Sequence, residues 1–392
     1  MTKQQSALIL LIKSALTDES YPLPADFDPV EVFRIAKVHG VNVMAYYGAL
    51  RCGVAPDSDW MTEELMHVYQ SISVGEKQMA AVHRLMDTFE DHGIAHMPLK
   101  GTLQKALYPR TEMRKMGDAD ILINCDQYDT ICGIMKELGY TEKYESDHEL
   151  AWYKKAVHIE LHKRLIPSYN KDYYRYYGDG WRIAKPHEGY TFRYCMDPRD
   201  EMIYLFTHFA KHYRDAGIGI RHLVDLWVFR KNHPMLDEKY IRKELAKLQL
   251  LEFYENIMLT LGVWFDDIAA DEKTEFITQV IFTSGEYSRA YISKLSSVLK
   301  TTKNESSVES IKRKRIIRLL FPEYTEMCRK YQILQKFPFL LPFMWWRRIF
   351  SQMFRFKKLQ LFVKKNLQFS TDEVSEYQQS LHYVGLDFHF SE

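Results

Sequence analysis

The 392-residue chain has no CxxC pair: its five cysteines stand far apart at 52, 125, 132, 195 and 328. An odd, scattered set argues against a disulfide framework and against a structural zinc site, and suits a reducing cytoplasm. No apolar run approaches the ~20 residues a membrane span needs. The longest candidate, FPFLLPFMWW, is half that length and carries two prolines, and the N-terminal ALILLI gives way at once to Lys13 and an acidic TDES, so it reads as one face of a helix. Net charge is nearly absent too, 53 Lys and Arg against 52 Asp and Glu. The whole molecule therefore offers no field to gather nucleic acid non-specifically. Solenoid repeats, low-complexity tracts and an HExxH zinc helix are all missing. With 46% hydrophobic and 27% charged residues, what remains is an ordinary globular composition, long enough for two or three cores.

The charge that is present is unevenly placed. Residues 327–371 hold ten Lys or Arg and no acid. Within 336–365 the cations alternate with Trp345, Trp346, Phe350, Phe354 and Phe356, which permits either a helix lying on an anionic membrane surface or a core helix with a solvated cationic side. A lone cationic segment is a poor signal for nucleic acid.

Periodicity divides the rest. Residues 1–92 read as an N-terminal helical region, ending in a long helix from Thr62 to His92 that Gly93 caps. Residues 93–165 change character: IAHMPLKG is a short buried strand, TLQKALYP a two-turn helix stopped by Pro109, DADILIN a second strand and CDQYDTICGIMKELG an amphipathic helix. Three strand-like pieces follow, YTEKYES, ELAWYKK and VHIELHK. The tyrosine-rich stretch from Arg164 to Pro198 lacks a period and is expected to be a long loop or lid, whose Tyr173, Tyr174, Tyr176 and Tyr177 either pack or stack on a base. Residues 166–300 are otherwise helical. TTKNESSVES is a polar linker into 301–392, the basic, aromatic C-terminal helical segment. The expected class is α+β, a small mixed sheet flanked by helical regions.

Within this frame the sequence GDADILIN is chemically odd. Strand alternation puts Asp118, Asp120 and Leu122 on one face and Ala119, Ile121 and Ile123 on the other. Two carboxylates on one face, their α-carbons roughly 6–7 Å apart, repel unless a cation sits between them. In VHIELHK the same rule sets His158, Glu160 and His162 opposite Val157, Ile159 and Leu161. If the two strands pair with matching faces, Asp118, Asp120 and Glu160 converge as the oxygen-rich donor set that Mg²⁺ or Mn²⁺ prefers. HIELH alone would also allow two imidazoles and a carboxylate around a transition metal, but that accounts for neither D-x-D nor PLKG. Upstream, PLKGT joins a strand to a helix through glycine, where free N–H groups and Lys100 can receive phosphate.

The order of strand, Gly turn, short helix, Asp-x-Asp strand and a later strand with one acid is similar to the DNA polymerase beta-like nucleotidyltransferase superfamily. More narrowly, PLKGTLQKALYPRTEMRKMGDADILI resembles the LKG and D-x-D signature of the bacterial nucleotidyltransferases described as uncharacterised, or type 5. THFAKHYRDAGIGIRHLVDLW, with His208, His212, Arg221 and Asp225, resembles that group's second motif, and LLFPEYTEMCRKYQILQKFPFLLPFMWWRRI resembles a trailing segment of many members. The resemblance spans roughly residues 20–360. It implies Mg²⁺-dependent transfer of a nucleoside monophosphate from an NTP to a hydroxyl, with release of pyrophosphate. Asp118, Asp120 and Glu160 would hold metal, and Lys100, Gly101, Thr102 and Arg114 would hold the triphosphate. Many superfamily members carry Gly-Ser where this chain has Lys100 and Gly101, so a hydroxyl contact falls to Thr102. The third acid is Glu where Asp is commoner. His208 and His212, like Arg221 and Asp225, lie four apart on a helix and share a face, either as a packing network or as groups closing over the nucleotide. The acceptor is unspecified; a sugar or glycan-pathway intermediate suits a cytoplasmic enzyme with a basic edge against the inner face of a membrane. The non-enzymatic alternative is a catalytically silent nucleotide-binding or scaffolding protein that keeps the fold.

Overall fold

A computed structural model describes residues 1–215, 217–284, 333–353 and 371–387, with isolated positions between 296 and 331. The chain groups into two compact units, Met1–Arg289 with Val384–Glu392, and Ala290–Tyr383. The linker TTKNESSVES and the cationic residues from 354 to 365 lie outside the described residues.

The first unit begins with helices α1 (Lys3–Thr17), α2 (Pro29–Val38), α3 (Asn42–Arg51) and α4 (Asp59–Asp91). Thr2 and Gln5 start α1 with a reciprocal capping box, each side chain accepting from the other's backbone N–H. Its apolar run is helical as expected, but it is buried on nearly every side rather than on one face, with Ala7, Leu8, Ile9, Leu11 and Ile12 all enclosed. Against α3 the backbones meet so closely that a Cβ on Gly48 would lie 1.9 Å from the Leu11 carbonyl oxygen. Helix α4 ends as its sequence suggests: Gly93, at φ +69°, turns the chain into the sheet.

The sheet runs β1-β2-β5-β4-β3, built from β1 (His96–Pro98), β2 (Ala119–Ile123), β3 (Thr141–Glu145), β4 (Glu149–Lys154) and β5 (Val157–His162). β2 and β5 pair in parallel and the other neighbours are antiparallel, so the fold is α+β with a mixed sheet. A parallel pair needs a crossover. Here it contains α6 (Tyr128–Glu137) and the β3–β4 hairpin. Alternation then sorts the side chains. Ala119, Ile121, Ile123, Leu150, Trp152, Ile159 and Leu161 face one core with Val82, Leu85 and Phe89 of α4 and Ile131 and Met135 of α6. The opposite face is left for chemistry.

Beyond β5 the stretch expected to be a lid is ordered: α7 (Lys171–Tyr177), a 3₁₀ turn Trp181–Ile183 and a hairpin of β6 (Ala184–Pro186) and β7 (Tyr194–Met196). Tyr173 and Tyr177, four apart, are buried on one helix face, and Arg214, itself fully buried, pairs with Asp172 at 3.0 Å. A seven-residue helix is too short to show a period. Similarly, TLQKALYP forms one α turn, α5 (Gly101–Gln104), and a 3₁₀ turn Lys105–Leu107, and Lys105 Nζ donates to the carbonyls of Thr111 and Arg114. Helices α8 (Pro198–Asp215), α9 (Ile220–Asn232), α10 (Glu238–Lys247), α11 (Leu251–Phe265) and α12 (Glu272–Ser284) complete this unit.

In the second unit the described elements are helices Ile333–Lys336, Leu341–Met353 and Thr371–Tyr383. Met327, Cys328, Leu334 and Met344 form a small core there. Among the described residues no helix is long and apolar enough to cross a membrane.

Candidate active site

The parallel register sets Asp120 directly beside Glu160, with Asp118 two residues before Asp120 on the same face. One donor atom each from Asp118, His158 and Glu160 lie within 4.8 Å of one another, as do donors from Asp120, Glu160 and His162. Glu160 belongs to both groups. All three acids line a cavity of about 640 Å³ that opens between the sheet and helices α8 and α9. Their protonation reflects crowding. Burial and then Asp118 and Asp120 push the Glu160 carboxyl up to about 8. Burial and Asp120 raise Asp118 as well. Asp120 is held low: burial opposes ionisation, but Lys100 and His162 outweigh it.

The turn before the acids is shaped by close approach. Leu99 N–H donates to the Asp120 carbonyl at 3.0 Å, which ties β1 to β2 just where the chain turns. Lys100 adopts φ 43°, ψ −115°, a conformation that glycine tolerates and other residues rarely take. This is the position at which many members of the resembling superfamily carry glycine. Its Nζ lies 3.0 Å from Asp120 Oδ1. Gly101 is required by its neighbour: a Cβ there would sit 2.5 Å from Arg114 Nη1. Arg114 is fixed in turn by Asp225, through Nε to Oδ1 at 3.1 Å and Nη2 to Oδ2 at 2.9 Å. Lys100, Gly101 and Arg114 all line the cavity. Thr102 does not. Its side chain lines a second cavity of about 310 Å³ with Pro98, Leu103 and Glu201, and its buried Oγ1 has no partner there.

Helices α8 and α9 close the other side. His208, His212, Arg221 and Asp225 all line the cavity, so the structure brings them to the acids. The His208 and His212 rings lie 4.3 Å apart, and Arg221 Nη1 is 3.7 Å from Asp225 Oδ2. Burial drives His208 and His222 well below the ordinary histidine range and His212 down to about 3, so these imidazoles are neutral at pH 7. The four tyrosines of α7 are absent from the lining, and Tyr176 instead donates to Glu244 at 2.9 Å.

Sequence reasoning missed several lining residues, chiefly Lys211, His222, His148 and Glu149. Lys211 and His222 could have been found inside the FAKH and IRHLVD stretches by projecting them onto the histidine-bearing face. The SDHEL pair carries no such signal, because only the β4–β5 register, which sets Glu149 opposite His162, turns it inward. Burial, more than neighbouring Lys100, lowers the Lys211 amine.

Residues 25–266 match a family described as uncharacterised nucleotidyltransferase. No curated protein and no solved structure matches the chain.

Proposed function

Since the chain belongs to the uncharacterised nucleotidyltransferase family, we propose that it transfers a nucleoside monophosphate from an NTP to a hydroxyl-bearing acceptor. The observation that carries this reading is the register of Asp120 on Glu160, with Asp118 beside them, over a large polar cavity. The donor set fits Mg²⁺ or Mn²⁺: three carboxylates supply hard oxygen ligands, and their mutual repulsion, which adds to burial in raising Asp118 and Glu160, is what a bound cation would relieve. When bound, the ion supplies charge neutralisation to the triphosphate and to the oxygens that gain charge during transfer. Lys100 and Arg114 border the same space from the turn, and Lys211 and Arg221 from the helices, so four cations stand where a polyanionic tail would lie. Glu160 is the group suited to hold the acceptor hydroxyl's proton.

Pyrophosphate release from each labelled NTP, with Mg²⁺ and a cell extract as the acceptor source, tests the reading. Asp118→Asn and Glu160→Gln should each cost at least about a thousandfold if the ion site is catalytic. Unchanged turnover in both variants removes the assignment. No turnover in the wild type with any NTP, alongside retained nucleotide binding, would instead favour the silent scaffolding alternative.

We also place the basic segment against anionic lipid. In helix Leu341–Met353, Met344 faces the small core, while Phe343, Trp346 and Phe350 are 66%, 57% and 56% exposed. These three recur at spacings of three and four, which is one helical stripe, and the exposed Phe339 lies in the 3₁₀ turn just before it. Arg347 and Arg348 adjoin it within a stretch devoid of acids, and cations beside an aromatic stripe suit a negatively charged bilayer surface.

A further inference from the structure

At the far end of β5 from Asp118, His162 lies opposite Glu149 of β4, and His148 precedes Glu149. One imidazole nitrogen from each histidine and a Glu149 oxygen lie within 4.8 Å of one another. His148 Nε2 and Glu149 Oε2 are already 2.8 Å apart. Ligands on a tetrahedral zinc ion are separated by roughly 3.3 Å, so shifts of about an ångström would close the set. The decisive group is His162. It is 3% exposed, and its Nε2 lies 2.6 Å from Asp120 Oδ1, yet its Nδ1 is buried with no hydrogen-bond partner. An imidazole that gives one N–H to a carboxylate and keeps its other nitrogen free is the arrangement that metal-ligating histidines adopt.

The geometry points to a second, nitrogen-rich cation site formed by His148, Glu149 and His162, which takes a divalent transition ion such as Zn²⁺. Two imidazoles and one carboxylate select for a borderline ion over Mg²⁺, and three protein ligands leave a coordination position toward the cavity that the same residues line. Ligation at Nδ1 fixes His162 as the Nε2–H tautomer, which positions Asp120. This site shares a wall with the proposed nucleotidyl-transfer centre but does not depend on that function.

The test uses the full chain, stripped of metal by a chelator and titrated with Co²⁺ as an optical stand-in for Zn²⁺. One equivalent should produce the visible absorption of nitrogen-ligated Co²⁺. His148→Ala and Glu149→Gln should each weaken that binding at least about tenfold, whereas Asp118→Asn should leave it intact. Far-UV circular dichroism identifies a variant that fails to fold, and Glu149→Gln, the less disruptive change, then decides. Absence of a visible band in the wild type overturns the inference, and so does a band that survives in folded Glu149→Gln but disappears in Asp118→Asn. A wild type that gives the band but releases no pyrophosphate leaves this site standing and removes only the transfer reading.

Discussion

Lys100 Nζ lies 3.0 Å from Asp120 Oδ1, the same oxygen that His162 Nε2 reaches at 2.6 Å. The lysine thus supplies Asp120 with part of the positive charge that an ion would bring. Removing the ammonium should have opposite effects on two measurements. Lys100→Met should bind Mn²⁺ about tenfold more tightly in the absence of nucleotide, because a competing cation is gone. If Lys100 holds phosphate as proposed, the same variant should lose at least about tenfold in kcat/KM for the NTP. Calorimetric titration and pyrophosphate release check the two signs. Weaker Mn²⁺ binding in Lys100→Met would contradict the role.

Arg114 and Asp225 join the Gly101 turn to helix α9 through two buried contacts, and Tyr108 adds a third by donating to Asp225 at 2.7 Å. Asp225→Ala strands a guanidinium with side-chain exposure of 7%. Loss of one partner from a buried pair costs about 3–5 kcal/mol. Urea unfolding should register that loss. A change below about 1 kcal/mol would mean the pair is solvated in solution.

Glu201 gives a pH dependence remote from the acids. Burial alone pushes its carboxyl from the ordinary 4.5 up to about 7, and its Oε1 is buried with no partner. A raised carboxyl binds its proton more tightly in the folded state, so this residue's contribution to wild-type stability declines as pH rises from 4.5 through 7. Glu201→Gln removes the titration. The variant should match the wild type near pH 4 and exceed it by up to about 3 kcal/mol near pH 8. Melting temperatures measured at both values decide it, and a constant gap would show that the carboxyl is not desolvated.

For the aromatic stripe, flotation with phosphatidylserine vesicles is the measurement. Arg347→Glu with Arg348→Glu should reduce binding at least about tenfold at low salt, since each basic residue near such a surface contributes about 1 kcal/mol. Phe343→Ser with Trp346→Ser should reduce it at high salt as well, where only the apolar contribution remains. Binding that neither pair alters would remove the lipid assignment.

The two acid-bearing strands were legible because period two separates Asp118 and Asp120 from Ala119, Ile121 and Ile123 without any neighbour's help. Their convergence was legible only as a condition, since α6 and the β3–β4 hairpin intervene between β2 and β5 and sequence does not state strand order. Thr102 shows the limit of adjacency. Consecutive helical side chains diverge by about 100°, so a residue next to Gly101 can serve a different cavity. Arg114 looked like a phosphate ligand from its place beside the D-x-D strand, and it does border the cavity; its anchorage to Asp225, 111 residues later, needed the fold. Glu149 and His148 stayed hidden for the same reason, because partner strands decide which way a short edge sequence points.

The sheet's open face carries Asp118, Asp120 and Glu160, while His208 and Lys211 ride on α8, which begins at Pro198, and Arg221 on α9, which begins at Ile220, both well beyond the end of β5 at His162. One half of the pocket is therefore registered by backbone ladders, and the other is held by side-chain contacts such as Arg114 with Asp225. Helix substitutions can redraw the outline of the cavity without disturbing how the carboxylates are spaced. Diversification of such a protein toward new ligands would leave its traces in α8 and α9 and spare the strands.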